Sequence, residues 1–245
     1  KNYDKKSFVI NYLFSFSDLE APTMTDVRFE NILDEYLQKV PEKSHSGKFR
    51  VSSAGLCYQK RLWEREGKEP TDQVENRMLR VFKVGEVFHT WLQNMLEDMG
   101  YLVLRELELE DDYRVGRLDA VVEKDGKRIL YDFKTVHSRK FIYKEEIDIH
   151  YCMQAWTYKL MLEEQYGMKV DSVRVLYISR DDLLLKDVEV EKVIGIEKMV
   201  EEDWNGLIKA SQGKGIIIAP KQDWECTYCV YRSACSHRQE VVKDD

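Results

Sequence analysis

An α/β fold, with a mixed sheet flanked by helices, is what this 245-residue sequence predicts. Three observations carry that expectation. Apolar residues recur at helical spacing between Val74 and Met99. Asp125-Gly126 between two β-rich runs marks a tight hairpin. A helix-then-strand pattern returns after Ile149.

Taken in order, residues 1–47 read as a helical accessory segment and 48–240 as the main domain. Thr25 or Asp26 caps a first helix whose apolar stripe is Phe29, Ile32, Leu33, Tyr36, Leu37 and Val40, with Pro41 stopping it. That stripe is expected to pack against the domain; docking a partner is the alternative. Glu42 to Lys48 form a polar linker. The helix over 74–99 carries Phe88, Trp91, Leu92, Met95, Leu96 and Met99, and Gly100 supplies a left-handed cap. Strands follow at 101–109, 113–124 and 127–136. A helix over 149–166 ends at Gly167, and strands at 173–179 and 183–190, a helix over 196–210 and a cysteine-rich tail complete the order. No internal repeat is visible.

Apolar content of 43% is ordinary for a globular protein, and no stretch reaches the length of a membrane span. The lysine-rich start and the apolar run from Phe8 to Phe16 mimic a leader. Asn11, Ser15 and Ser17 interrupt it and no small-residue cleavage site follows, so a cytoplasmic protein is expected. A net charge of −7 argues against a surface coated with phosphate contacts, while allowing a local basic groove.

Counting outward from Asp125-Gly126 pairs Lys124 with Lys127, Glu123 with Arg128, Val122 with Ile129, Val121 with Leu130 and Ala120 with Tyr131. The next pair is Asp119 with Asp132. Opposed residues on an antiparallel pair share a face, with Cβ atoms about 5 Å apart. Lys134 points to that face too. Two carboxylates and an ammonium thus converge among Leu118, Ala120, Leu130 and Phe133. Such a group calls for a hard cation, Mg²⁺ or Mn²⁺; the plainer reading is an exposed acidic pair with a surface salt bridge. Gly85 and His89 lie one helical turn apart, so the glycine lets that helix face approach the sheet. His89 is either a packed core histidine or a metal donor. Gln154 and Tyr158, also four apart, form either a polar helix edge or a pair of phosphate contacts.

Five cysteines are too few for a disulfide scaffold and suit metal ligation in a reducing compartment. Cys57 stands alone, far upstream of Cys226, Cys229 and Cys235. Four thiolates can hold Zn²⁺ or a [4Fe–4S] cluster. A Cys₃His zinc site using His237 is the alternative that leaves Cys57 out. Cys152 is left over as a small hydrophobe.

Gly85-x-x-x-His89, Gly116-Arg117-Leu118-Asp119, Asp132-Phe133-Lys134-Thr135 and Gln154-x-x-x-Tyr158, in this order, resemble the motifs of RecB-like nucleases in the PD-(D/E)xK superfamily. With Cys57 and C-x₂-C-x₅-C, residues 51–237 resemble its iron–sulfur branch, which includes CRISPR-associated single-strand DNA exonucleases and phage relatives. The segment 1–47 matches nothing in that pattern.

The resemblance implies a restriction-endonuclease-like core whose two ends are stapled by a [4Fe–4S] cluster on Cys57, Cys226, Cys229 and Cys235. It implies a Mn²⁺ or Mg²⁺ ion on His89, Asp119, Asp132 and the Phe133 carbonyl, with Asp119, Asp132 and Lys134 catalytic. Gln154 and Tyr158 would contact DNA. His137, Arg139, Lys140, Phe141, Tyr143 and Lys144 offer a further grip on a single strand. The implied activity is a single-strand DNA exonuclease, 5′→3′ favoured, in CRISPR adaptation or phage and recombination processing. An integrase or helicase would be a separate partner, since no phosphate-loop motif is present. The rivals are a silent single-strand DNA-binding adaptor and a zinc-stapled scaffold with an incidental acidic hairpin.

Overall fold

The computed structural model describes residues 28–39, 46–143, 148–217 and 222–236. Thr25, Asp26, Val40, Pro41, Lys144, His237 and the apolar run near the start lie outside them. The elements are α1 (Phe29–Gln38), β1 (Phe49–Arg50), α2 (Tyr58–Glu66), α3 (Asn76–Asp98), β2 (Leu102–Glu110), β3 (Arg114–Lys124), β4 (Lys127–Val136), α4 (Arg139–Tyr143), α5 (Ile149–Tyr166), β5 (Ser172–Ser179), β6 (Leu185–Glu189), α6 (Ile196–Ser211) and α7 (Asp223–Thr227).

The sheet is mixed, as the element order predicts. Its six strands run β1-β3-β4-β5-β6, with β2 on β3. β2/β3, β3/β4 and β5/β6 are antiparallel; β1/β3 and β4/β5 are parallel. Helices cover both faces. The larger core lies under α5 and α6, where Leu118, Val121, Leu130, Val173 and Val175 meet Met161, Leu162 and Leu207. The smaller lies under α3, where Leu92 and Phe88 meet Ala120, Val122, Phe133 and Ile178. Membrane-length apolar helices are absent among the described residues.

Turn chemistry behaves as the residues demand. Asp125 and Gly126 both take positive φ, +53° and +74°, the geometry whose twist matches a two-residue hairpin. Gly167 ends α5 in the left-handed region.

The first helix departs from expectation. Phe29, Ile32 and Tyr36 of its apolar stripe are exposed, while Asp34 is buried beside Leu37. Asp34 accepts hydrogen bonds from Arg80 Nε (2.8 Å) and Asn76 Nδ2 (2.9 Å), and Arg80 also pairs with Glu30 at 2.6 Å. The helix therefore docks on α3 through charge as well as through Leu37, and Phe29, Ile32 and Tyr36 of its apolar stripe face outward. The short helix α2 lies where no element is expected, because its charged sequence hides the few residues it buries, Tyr58, Arg61 and Leu62.

Candidate active site

The site opens where the hairpin ladder ends. Pairing runs in the expected register from Lys124↔Lys127 down to Ala120↔Tyr131. Beyond it, the ladder hands over to a side chain: Phe133 N donates to Asp119 Oδ2 at 2.7 Å. Val115 pairs with Arg50 of β1 and with Glu110 of β2, so β2 lies on one edge of β3 while β1 and β4 share the other. Between those two partners, Gly116 to Asp119 have no strand neighbour on that edge. Leu118 packs into the core under α5 and Ala120 into the one under α3, so face alternation breaks at Asp119. That break is how residues from helices on opposite faces meet.

From α3 comes His89, its Nδ1 3.3 Å from Asp119 Oδ1. A Cβ on Gly85 would sit 3.3 Å from Thr135 Oγ1, a close approach that only the missing side chain leaves easy. From α5 comes Gln154, whose Nε2 donates to Asp132 Oδ1 at 2.9 Å. Asp132 is 0% exposed. Lys134 Nζ lies 2.6 Å from Asp132 Oδ2 as an ion pair, leaving that oxygen without a hydrogen bond. Tyr151 presents its ring 4.8 Å from the Lys134 ammonium.

The two carboxylates are held in different states. Burial pushes Asp132 up to about 6, against the pull of Lys134 and with the help of Asp119. Burial acts on Asp119 too, yet the hydrogen bond and charge of His89, with Lys134, hold it below the usual carboxylate value. Burial lowers His89, but Asp119 more than offsets this and raises the imidazole. Lys134 is likewise penalised by burial and raised by Asp132 and Asp119. Such a divided pair is the pattern of a site that handles protons or cations.

Two further residues belong here. Glu106 stands opposite Asp119 in the β2/β3 pair, between Arg105↔Ala120 and Leu107↔Leu118. Gln93 Nε2 donates to both Glu106 Oε1 (2.6 Å) and the Asp119 carbonyl (2.9 Å). Sequence reading missed both. Glu106 is one of several acids alternating along its strand; counting β2 against β3 is the signal that would have found it.

Other expected residues lie differently. Tyr158 is 3% exposed and packs under Gly116, with its hydroxyl on the Arg117 backbone and the Gln154 side chain. Lys140 is tied to Asp148, between the rings of Tyr151 and Tyr177. Arg139 is exposed, Phe141 is packed against the core, and His137 Nδ1 sits 3.4 Å from Asp181. The side chain of Tyr143 lies outside the described residues.

At the other end, Cys57, Cys226, Cys229 and Cys235 are free thiols. Cys57 precedes α2, and its N–H donates to Glu225 Oε2 at 2.7 Å, one residue before Cys226. Burial raises the Cys57 thiol, and Glu225 and Cys229 add to it; burial raises Cys229, and Cys235 and Cys226 add to it. The tail is pinned by Thr71 and Asp72 N–H groups on the Val230 carbonyl (both 2.9 Å), by Tyr231 Oη on the Lys68 carbonyl (2.9 Å), and by Ser233 on Asp72. Cys152 stays apart, 0% exposed, its thiol pushed up to about 12 by burial.

Comparison with known proteins agrees with this geometry. Residues 23–236 match the family model of the PD-(D/E)XK nuclease superfamily. The CRISPR-associated exonuclease Cas4 of Saccharolobus solfataricus is 23% identical over 220 residues, covering 86% of this chain and 97% of that protein. The crystal structure of SSO0001 has the same fold, with a TM-score of 0.54 at 20% identity over 86% of this chain and 94% of that one.

Proposed function

The chain belongs to the PD-(D/E)XK nuclease superfamily and is a metal-dependent nuclease, and from that premise we propose that it removes nucleotides from the ends of single-stranded DNA, in the 5′→3′ direction. The observation that carries the reading is Asp132: a fully buried carboxylate with one oxygen lacking a hydrogen bond, paired with Lys134 and facing Asp119 and His89. A buried anionic oxygen held by an ion pair and by no hydrogen bond fits a Mg²⁺ or Mn²⁺ ion in that setting. His89, Asp119, Asp132 and the Phe133 carbonyl would hold it. When bound, such an ion supplies a nucleophilic water and neutralises charge on the phosphate.

The protein's own groups do the rest. Gln154 fixes the Asp132 carboxylate from one side, and the Phe133 N–H fixes Asp119. Lys134, kept charged by the two acids and steadied by Tyr151, sits where it can orient the attacking water and meet the developing charge. Arg139 is an exposed cation past the end of β4 that can take a DNA phosphate. Gln154 and Tyr158 then serve the strand indirectly, by shaping the acid beneath it.

For the second centre we take a [4Fe–4S] cluster on Cys57, Cys226, Cys229 and Cys235. The Cys57 and Cys229 thiols, raised by burial and further by neighbouring cysteines, fit a cationic metal core. It would act as a staple, because its ligands come from the start and the end of the domain. The curated relative is named a CRISPR-associated exonuclease, which favours processing of DNA before integration, with an integrase as partner; phage or recombination processing beside a helicase is the other setting.

The test is degradation of end-labelled single-stranded DNA in Mn²⁺ or Mg²⁺, label at either end, with a circular single strand included. Wild type is compared with Asp132→Ala. Metal-dependent shortening of linear strands only, lost in the variant, is expected. Silence from folded wild type on every substrate would leave a DNA-binding adaptor instead.

A further inference from the structure

We infer that Glu106 is a further ligand of the divalent ion held at His89 and Asp119, an inference that rests on the metal-dependent reading above. One ligand atom each from His89, Glu106 and Asp119 lies within 4.8 Å of the others, the one such group among the described residues. Three chain segments build it: α3, β2 and β3. Glu106 reaches it because the β2/β3 register sets it against Asp119, and like charges so opposed destabilise a sheet unless something compensates.

The compensation at hand is partial. Arg117 Nε lies 2.6 Å from Glu106 Oε2, but the Arg117 side chain is 55% exposed, so it screens weakly. Asp132 Oδ2 is buried without a hydrogen bond; its counter-charge is Lys134 at 2.6 Å, and it feels the charges of both Asp119 and His89. That buried oxygen, matched by an ion pair and by no hydrogen bond, keeps lone pairs for a cation beside the group. Glu106 also holds φ at +48°, a left-handed conformation that costs a residue with a side chain. Gln93 Nε2 donates to both Glu106 Oε1 and the Asp119 carbonyl, tying the Glu106 side chain to the Asp119 backbone. Arg117 thereby acquires a role as well. Without the ion it occupies a Glu106 oxygen; with Glu106 on the ion, it would be free, two residues from Asp119, to take a DNA phosphate.

The experiment is calorimetric titration of Mn²⁺ alone into the full chain, its cysteine centre intact, for wild type, Asp119→Asn, Glu106→Gln and Arg117→Met. Wild type should bind, Asp119→Asn should not, and Glu106→Gln should bind at least about tenfold more weakly, since loss even of an outer partner of a metal ligand costs that much. Arg117→Met should bind about twofold more tightly, because an exposed ion pair no longer competes. Affinity of Glu106→Gln within about twofold of wild type overturns the proposal. So does an Arg117→Met that binds as weakly as Glu106→Gln, because Glu106 would then serve only to anchor the arginine. If Glu106→Gln fails to fold, Arg117→Met decides alone: tighter binding supports the ligand role, and unchanged or weaker binding overturns it. A wild type that binds no Mn²⁺ overturns the metal-dependent reading itself, and the two failures are thereby told apart.

Discussion

Gln154 Nε2 donates to Asp132 Oδ1 at 2.9 Å, and both side chains are buried. A residue on α5 thus orients the acid in the middle of β4. Gln154→Leu should lower kcat roughly 10–100-fold, as loss of such outer partners does, with KM for DNA little changed. Steady-state kinetics on labelled single strands checks the split. A variant in which only KM rises would instead make Gln154 a direct DNA contact.

Asp132 should set the acid limb of activity. Its carboxyl is raised to about 6 chiefly by burial, and only the ionised form holds a cation. Metal affinity and cleavage should therefore fall as pH drops through about 6, approaching tenfold per unit below it. The stability consequence has the opposite sense. Folded Asp132 keeps a proton that an unfolded aspartate, near 3.8, has released. Between those values this group alone makes the metal-free protein more stable as pH falls. Mn²⁺ titration at several pH values gives the first effect; flat affinity from pH 7.5 to 5 would show that Asp132 is not a ligand.

Gly116 is required by packing. A Cβ there would lie 2.7 Å from Tyr158 Cε1 and 2.8 Å from Val51 Cβ, and both side chains are buried. Gly116→Ala should destabilise the fold by about 1–3 kcal/mol, the usual cost of overpacking. Chemical denaturation measures it. Rescue of stability by an added Tyr158→Leu would identify Tyr158 as the clashing partner.

Asp203 anchors the segment that carries Cys57. Its carboxylate takes Arg61 Nη1 at 2.8 Å and Gly55 N at 3.1 Å, and its carbonyl accepts Tyr58 Oη at 2.7 Å, all buried. Asp203→Ala leaves the Arg61 charge buried and alone, and should cost about 3–5 kcal/mol. The melting temperature reports it. A loss near zero would mean that water or another group compensates Arg61.

Cys57→Ser should lower bound iron and the melting temperature together, if the cysteine centre joins the two ends of the domain. Iron content and calorimetry on the same preparation decide it. Normal iron with unchanged melting would remove Cys57 from the centre.

Short-range chemistry was legible in advance. Counting from the Asp125 turn gave the register as far as Ala120 and Tyr131, because hairpin register is local and every pair follows from the one before it. The next expected pair, Asp119 with Asp132, does not continue the ladder, and Asp119 takes the Phe133 N–H on its side chain instead. Gly85 and His89, one turn apart, follow from helical periodicity in the same way. The α1 stripe misled, because amphipathic spacing says which residues share a face and not which face is buried. The Arg80–Asp34 pair, 46 residues apart in sequence, made that choice.

By itself, then, the sequence determined the hairpin register and the grouping of Asp132 with Lys134. Tertiary structure alone decided that Glu106 joins the site, that Tyr158 lies beneath it, and that Arg61 meets Asp203 across 142 residues. The physical reason is range. Backbone periodicity constrains neighbours a few residues apart, whereas burial and the pairing of distant charges depend on which surfaces the whole fold removes from water.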